Sequence, residues 1–397
     1  PVFYLAGGPG VGAITEAPYL ATTFGPLLAK RDLVLVDQRG TGGSNPLDCD
    51  LGVGLLPKPV PAASVLACRR ELEKKADLRL YTTGLAMDDL DEVRAALGYA
   101  AIDLLGDSYG TLAAQDYLRR HGEHVRAAIL EGVVPPDPAA YLAYAEDAER
   151  ALAAVLAACA ADKSCHAAFP DPREELAAVL RGLARRPAGV EVVEEGRRVG
   201  KIVFTRDLFA ATLRGRLYSA RAAVRIPRAL HQAIRGDYAD MAHAAWTMEH
   251  AGGQGLSEGL LLAVSCSESL AFLDPAEVVR RSARTFLGPW PVLHRLDACR
   301  GWPRAAVPTD FTKPLVSAVP ALLLSGEWDP VTPPSGGERV SRGFANGLHL
   351  TVRAAGHSFD DPCTAGILAA FLDAATVRGL DTSCLARRPP PVFPIDP

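Results

Sequence analysis

The sequence holds no run approaching ~20 uninterrupted apolar residues, the length a helix needs to cross a bilayer, which argues against a spanning helix. No arginine–lysine run dominates any region, and the net charge of −4 is small for 397 residues, so nucleic acid is not a default partner. The pattern G-x-x-x-x-G-K-[ST] does not occur, which excludes a P-loop. Neither does C-x-x-C, and Cys165-His166 lacks ligand partners at finger-like spacing, so no metal site is expected. No signal peptide is visible. The sequence opens directly in an apparent core strand at Pro1 to Ala6, and the expectation is that upstream residues were removed by processing or are not included.

What is present is the material of a large core: 49% apolar residues against 22% charged. Eight cysteines fall into sequence-local couples, Cys49 with Cys68, Cys159 with Cys165, Cys266 with Cys299 and Cys363 with Cys384. An even count in close couples suggests four disulfides and an oxidising compartment; scattered reduced core cysteines are the alternative.

The pattern divides the chain into three regions. From residue 1 to 134, short apolar runs such as Leu33 to Val36 and Ile102 to Leu105 read as buried strands ending in glycine-bearing turns. A helical spacing over Ala86 to Leu97 lies between them, and strand–helix alternation implies a parallel sheet. Residues 135–314, opening on Pro135-Pro136-Asp137-Pro138, are rich in alanine, arginine and leucine. They read as an inserted, mainly helical cap, interrupted by a hairpin around Glu195-Gly196. Alternation returns over residues 315–397, with strands at Ala321 to Leu324 and Leu348 to Val352 and a closing helix from Ala365 to Ala374. The proline-rich tail from Pro389 reads as extended surface chain.

The strongest local signal is Gly106-Asp107-Ser108-Tyr109-Gly110, a G-x-S-x-G between a buried strand and a helical run. That context is the nucleophile elbow, in which a tight turn lifts a serine hydroxyl above the sheet. A serine needs a base, and the base needs an orienting acid. The α/β-hydrolase fold supplies them in the order Ser, acid, His at later strand ends. Asp329 follows one downstream strand and His357 the next, so Ser108, Asp329 and His357 are the expected triad, with Glu327 a possible substitute acid. The amides of Gly8, with Gly7 close behind, and Tyr109 are the expected oxyanion donors. Gly7-Gly8-Pro9-Gly10-Val11-Gly12 with Asp37 after the next strand could instead be a dinucleotide site, but it does not fit G-x-G-x-x-G and Pro9 removes a donor.

Together, Gly7-Gly8-Pro9-Gly10, Asp37-Gln38-Arg39-Gly40-Thr41-Gly42-Gly43-Ser44, the elbow, Asp329 to Pro334, Gly356-His357 and Ser265-Cys266-Ser267-Glu268 resemble the proline iminopeptidase and tripeptidyl aminopeptidase family. The resemblance implies a metal-free, cofactor-free serine exopeptidase acting on short peptides with a free amino terminus, in a secreted or periplasmic protein. It places Glu268 where a cap carboxylate would hold the substrate's ammonium group. The cysteine couples also resemble those of its secreted bacterial members. This sequence departs from that pattern at Ala6, where a histidine is common, at Asp107, where a small residue is usual, and in the single acid of its cap element. An esterase or amidase acting on a small uncharged acyl substrate with the same triad is the alternative. A binding protein that merely keeps the fold is disfavoured by the intact Ser108, Asp329 and His357.

Overall fold

The computed structural model describes residues 1–53, 56, 61–251 and 255–396. Its centre is a six-stranded, wholly parallel sheet in the spatial order Leu33–Leu35, Val2–Leu5, Ile102–Asp107, Val125–Glu131, Ala321–Gly326 and Gly347–Val352. The strands are β1 (Val2–Leu5), β2 (Leu33–Leu35), β3 (Ile102–Asp107), β4 (Val125–Glu131), β7 (Ala321–Gly326) and β8 (Gly347–Val352). This is the α/β-hydrolase architecture.

The near-continuous apolar runs follow from burial on both faces, since successive strand side chains point to opposite sides. Phe3, Leu104, Leu130 and Leu323 enter one core, with Leu90 of the helix Thr83–Ala96 and Tyr117 of the helix Tyr109–His121. Val2, Leu105, Ile129 and Leu322 enter the opposite core with Leu368 and Phe371 of the helix Pro362–Ala374. Two helices begin three residues earlier than the apolar spacing predicts because capping sets their ends. The Thr82 hydroxyl accepts from the Leu85 amide, and the Asp361 carboxylate accepts from Cys363 and Thr364, with Pro362 in the first turn.

Between β4 and β7 the chain leaves the sheet to build a mainly helical cap with its own core. In the helix Pro172–Arg185 the apolar stripe Leu176, Val179, Leu180 and Leu183 turns inward at helical spacing. The polar interruption is an antiparallel hairpin, β5 (Ala188–Glu194) with β6 (Arg197–Phe204). The C-terminal tail lacks regular structure as expected, but it is not wholly on the surface: Phe393 is buried in the cap core. Among the described residues no single helix is long and apolar enough to cross a membrane.

All four cysteine couples are joined as disulfides, and no free cysteine remains. Cys266–Cys299 closes a loop of 33 residues between two helices that pack beside the cavity described below. Closing a loop of that size restricts the unfolded chain by about 4 kcal/mol. Replacing Cys266 and Cys299 together with alanine is expected to lower the unfolding free energy by about that amount, read as a lower urea midpoint.

Candidate active site

Ser108 stands at the end of β3, in the turn before the helix Tyr109–His121, with φ 55° and ψ −119°. A positive φ at a non-glycine residue costs on the order of 1–3 kcal/mol and persists only where the surroundings impose it. Here the imposing contact is close packing: a Cβ at Gly110 would run into the Leu5 carbonyl of β1, so the helix can approach the sheet only with glycine there. The Ser108 amide donates to the Glu131 carbonyl at 2.8 Å, pinning the turn to β4.

Asp329 follows β7 and is fully buried, yet every lone-pair direction is used. Its Oδ1 accepts from the amides of Val331 and Thr332 at 2.7 and 2.9 Å; its Oδ2 accepts from the Thr332 hydroxyl at 2.6 Å and lies 2.7 Å from His357 Nδ1. Burial pushes the Asp329 carboxyl up, but the His357 charge and hydrogen bond and the Thr332 donors outweigh it, holding the group below the usual carboxylate range. For His357, burial alone would favour the neutral ring; the charge and hydrogen bond of Asp329, helped by Asp107, override this and raise it above 6.5. Glu327, the substitute acid, is spent elsewhere, accepting from the Ala354 amide at 2.8 Å.

The cap holds the histidine loop. The His357 amide donates to the Tyr218 carbonyl at 2.7 Å, and the Tyr218 ring meets the imidazole edge-on with centroids 5.2 Å apart. Arg150, on the cap helix Tyr144–Ala161, donates to the carbonyls of Glu327 and Asp329. A side chain at Gly356 would strike the Leu217 and Tyr218 carbonyls, so this junction requires glycine.

Ser108 and His357 line one cavity of about 530 Å³, with Gly7, Gly8, Tyr109 and Glu268 also in its wall. Gly7 abuts the serine: a Cβ there would stand 3.2 Å from Ser108 Cβ. Tyr109 opens its helix, so its N–H has no carbonyl of the preceding turn to reach. A strained serine and an imidazole on a common cavity, with a buried acid behind the imidazole, can deprotonate a hydroxyl and stabilise the ion pair that results. Asp37, the candidate ribose ligand, instead accepts from the amides of Ile14 and Gly43 and fastens two loops together.

Glu268 faces the cavity, but both of its oxygens accept from Thr83, one from the amide and one from the hydroxyl, each at 2.6 Å. It thereby satisfies an orphan donor at the start of the helix Thr83–Ala96. Burial raises its carboxyl to about 8, the Thr83 donors only partly offsetting this. A neutral, occupied acid is a weak site for a substrate ammonium. Other acids of the wall are also lifted by burial: Asp147 to about 7 despite Arg150, and Asp107 to about 6 despite His357. Away from the cavity, Asp91, His121 and His124 bring ligand atoms within 4.8 Å of one another. Arg94, Tyr117 and His124 already engage Asp91 Oδ1, however, so the carboxylate is neutralised without a metal.

Sequence reasoning assigned no role to Thr332, Arg150, Tyr218, Asp147 or Arg214. Thr332 alone left a local trace, since Asp329-Pro330-Val331-Thr332 is a turn in which the aspartate's own loop supplies its donors.

The family model for "TAP-like protein" matches residues 290–384. A tripeptidyl aminopeptidase of Streptomyces coelicolor is 32% identical over 154 residues, covering 34% of this chain and 28% of that protein. A proline iminopeptidase of Neisseria gonorrhoeae is 29% identical over 133 residues, covering 34% and 32%. The matches thus span about a third or less of those relatives' length. This chain has the α/β-hydrolase fold. It is distantly similar to the tripeptidyl aminopeptidase and proline iminopeptidase group. Serine protease Hip1 of Mycobacterium tuberculosis is 26% identical over 423 residues, covering 95% of this chain and 79% of that protein. Among solved structures, the putative non-heme bromoperoxidase BpoC of Mycobacterium tuberculosis superposes with a TM-score of 0.42 at 17% identity, covering 95% of this chain and 93% of that one.

The raised acids carry a stability signature. A carboxyl whose folded pKa lies above its unfolded value stabilises the fold fully below the unfolded value, near ~4, and loses that contribution as pH rises through the folded value. With folded values of about 6, 7 and 8 for Asp107, Asp147 and Glu268, the melting temperature is expected to fall steadily between about pH 5 and pH 8. Glu268→Gln should flatten the upper part of that decline in calorimetric scans; an unchanged slope would show that Glu268 is ionised in the fold.

Proposed function

We propose that the chain is a serine hydrolase that cleaves small esters or amides through an acyl-enzyme. Ser108 is the nucleophile, His357 the base, Asp329 the orienting acid, and the amides of Gly8 and Tyr109 receive the oxyanion. The observation that carries this reading is the buried Asp329–His357 pair at 2.7 Å opening onto the same cavity as a serine held at positive φ.

His357 takes the Ser108 proton as the oxygen attacks the acyl carbon. Asp329 fixes the imidazole so that Nε2 is free for this transfer, and it stabilises the imidazolium. Collapse of the tetrahedral intermediate expels the leaving group, which takes the proton from His357. Water, deprotonated by the same imidazole, then frees Ser108. Burial raises Glu268 to about 8, so that acid adds no charge to the wall near neutral pH.

An exopeptidase on short peptides with a free amino terminus, of prolyl or tripeptidyl type, is the second reading. The similarity to the Streptomyces and Neisseria enzymes favours it, as does Asp147 in the cavity wall. A bound ammonium would draw Asp147 into its charged form, a part Glu268 fills less well while Thr83 occupies both its oxygens. Four disulfides support a secreted or periplasmic site of action.

Ser108→Ala is expected to abolish hydrolysis and fluorophosphonate labelling with little change in melting temperature; full activity in the variant overturns the assignment. Free-amine amides, their N-acetylated twins and short-chain esters separate the two readings: turnover confined to free amines selects the exopeptidase.

The base must be neutral to act, so kcat/KM should rise with pH through one ionisation placed above 6.5, reflecting the raised His357. Asp107→Asn removes one of the charges that raise it, and the midpoint should move towards acid. A midpoint that stays in place would show that Asp107 does not act on His357.

A further inference from the structure

One group in the cavity wall has no counterpart in this mechanism. Arg214, on the helix Arg206–Arg216, lines the cavity yet is only 3% exposed. Its guanidinium stacks over the Tyr144 ring, 4.0 Å from the centroid, and faces the Tyr218 ring at 5.3 Å. The Nε atom reaches no acceptor, and among the described residues no carboxylate forms an ion pair with this side chain. The acid whose charge reaches it is Asp329, already committed to His357 and Thr332.

The other arginines of the wall are engaged: Arg281 pairs with Glu146, Arg339 with Asp137, and Arg295 donates to the Val53 carbonyl. A guanidinium cannot shed its charge in a protein, so a buried one without an anion is normally costly. Aromatic faces and a hydrogen bond with the Tyr218 side chain relieve part of that cost, but Nε is left without an acceptor and no anion is supplied. The same Tyr218 ring that Arg214 faces also touches the His357 imidazole, so the cation stands about one ring's breadth from the reacting centre.

We propose that Arg214 is the recognition site for a carboxylate carried by the substrate, so that the enzyme acts on anionic acyl compounds or on short peptides by way of a free carboxylate. A carboxylate there completes an ion pair that the fold itself leaves open, with Tyr144 and Tyr218 excluding water around it. This rests on the hydrolase reading and adds the substrate's charge to it.

Matched substrate pairs near neutral pH test the assignment. Mono-para-nitrophenyl adipate beside para-nitrophenyl hexanoate places the charge in the acyl half; para-carboxyphenyl hexanoate beside para-carbamoylphenyl hexanoate places it in the leaving half. At least one anionic member is expected to exceed its neutral twin by about tenfold or more in kcat/KM, mainly through KM. Arg214→Met should bring that ratio near one, and Arg214→Lys should keep part of it. Equal or reversed preference in the wild-type enzyme overturns the proposal, and this comparison stands even if Arg214→Met fails to fold. Fluorophosphonate labelling keeps the two claims apart. A labelled Ser108 without anionic preference removes the Arg214 role alone. If neither labelling nor turnover occurs, the hydrolase reading fails, and calorimetric binding of adipate to the wild type against Arg214→Lys decides the anion site by itself.

Discussion

The site depends on keeping one negative charge, that of Asp329, out of water. An isolated buried carboxylate would take up a proton, and a protonated Asp329 could neither orient His357 nor stabilise its cation. The fold prevents this with two backbone amides, a hydroxyl and an imidazole converging on the carboxylate. Three of those donors come from the two residues Val331 and Thr332, so the loop after β7 brings most of its own solvation with it. The remaining constraints, Arg150 on the loop carbonyls and the Tyr218 carbonyl on the His357 amide, are supplied by the cap. The cap therefore does more than cover the cavity: without it, the acid and base loops lose the contacts that set their backbones.

Around this fixed charge lies a wall of a different kind. Glu268, Asp107 and Asp147 are carboxyls whose burial is not fully compensated, and each is lifted above the usual carboxylate range. Arg214 is the opposite case, a permanent charge whose compensation is left incomplete. The site thus sets the closely bonded pair of Asp329 and His357 among lining groups whose burial the fold compensates only in part.

The parts legible in the sequence are those whose signal is local. The elbow shows because Gly110 is dictated by its contact with β1 a few residues from the serine it serves. The order of Ser108, Asp329 and His357 shows because each leaves a recognisable strand. The parallel sheet shows because strands buried on both faces read as continuous apolar runs. Helix starts were placed late because Thr82 and Asp361 act before the apolar spacing begins. Phe393 reads as an exposed tail residue because nothing nearby marks the cap core that receives it. Glu268 is the plainest case. Its position in the chain suggests a free acid in a pocket, but its partner Thr83 lies 185 residues away, and only folding shows that its oxygens are taken. Arg150, Tyr218 and Arg214 likewise acquire their neighbours through packing between cap and core, where sequence spacing carries no information.

The place where the cap joins the sheet has a consequence for how such an enzyme can change. The chain departs after β4 and returns at β7, and these two strands are hydrogen-bonded neighbours with Ala128 opposite Ala321. Exit after Glu131 and re-entry at Ala321 are thus one strand spacing apart across the sheet, about 4.8 Å, and offset along the parallel strands by the three residues from Ala128 to Glu131, roughly 10 Å. An excursion that closes across so small a gap can be lengthened, shortened or rebuilt while the register of every strand stays where it was. Ser108 and His357 lie outside the insertion and Asp147, Arg214 and Tyr218 within it, the two stretches meeting around one cavity at junctions such as Tyr218 with His357. Those junctions, rather than the bulk of the insertion, mark what a new cap would have to reproduce.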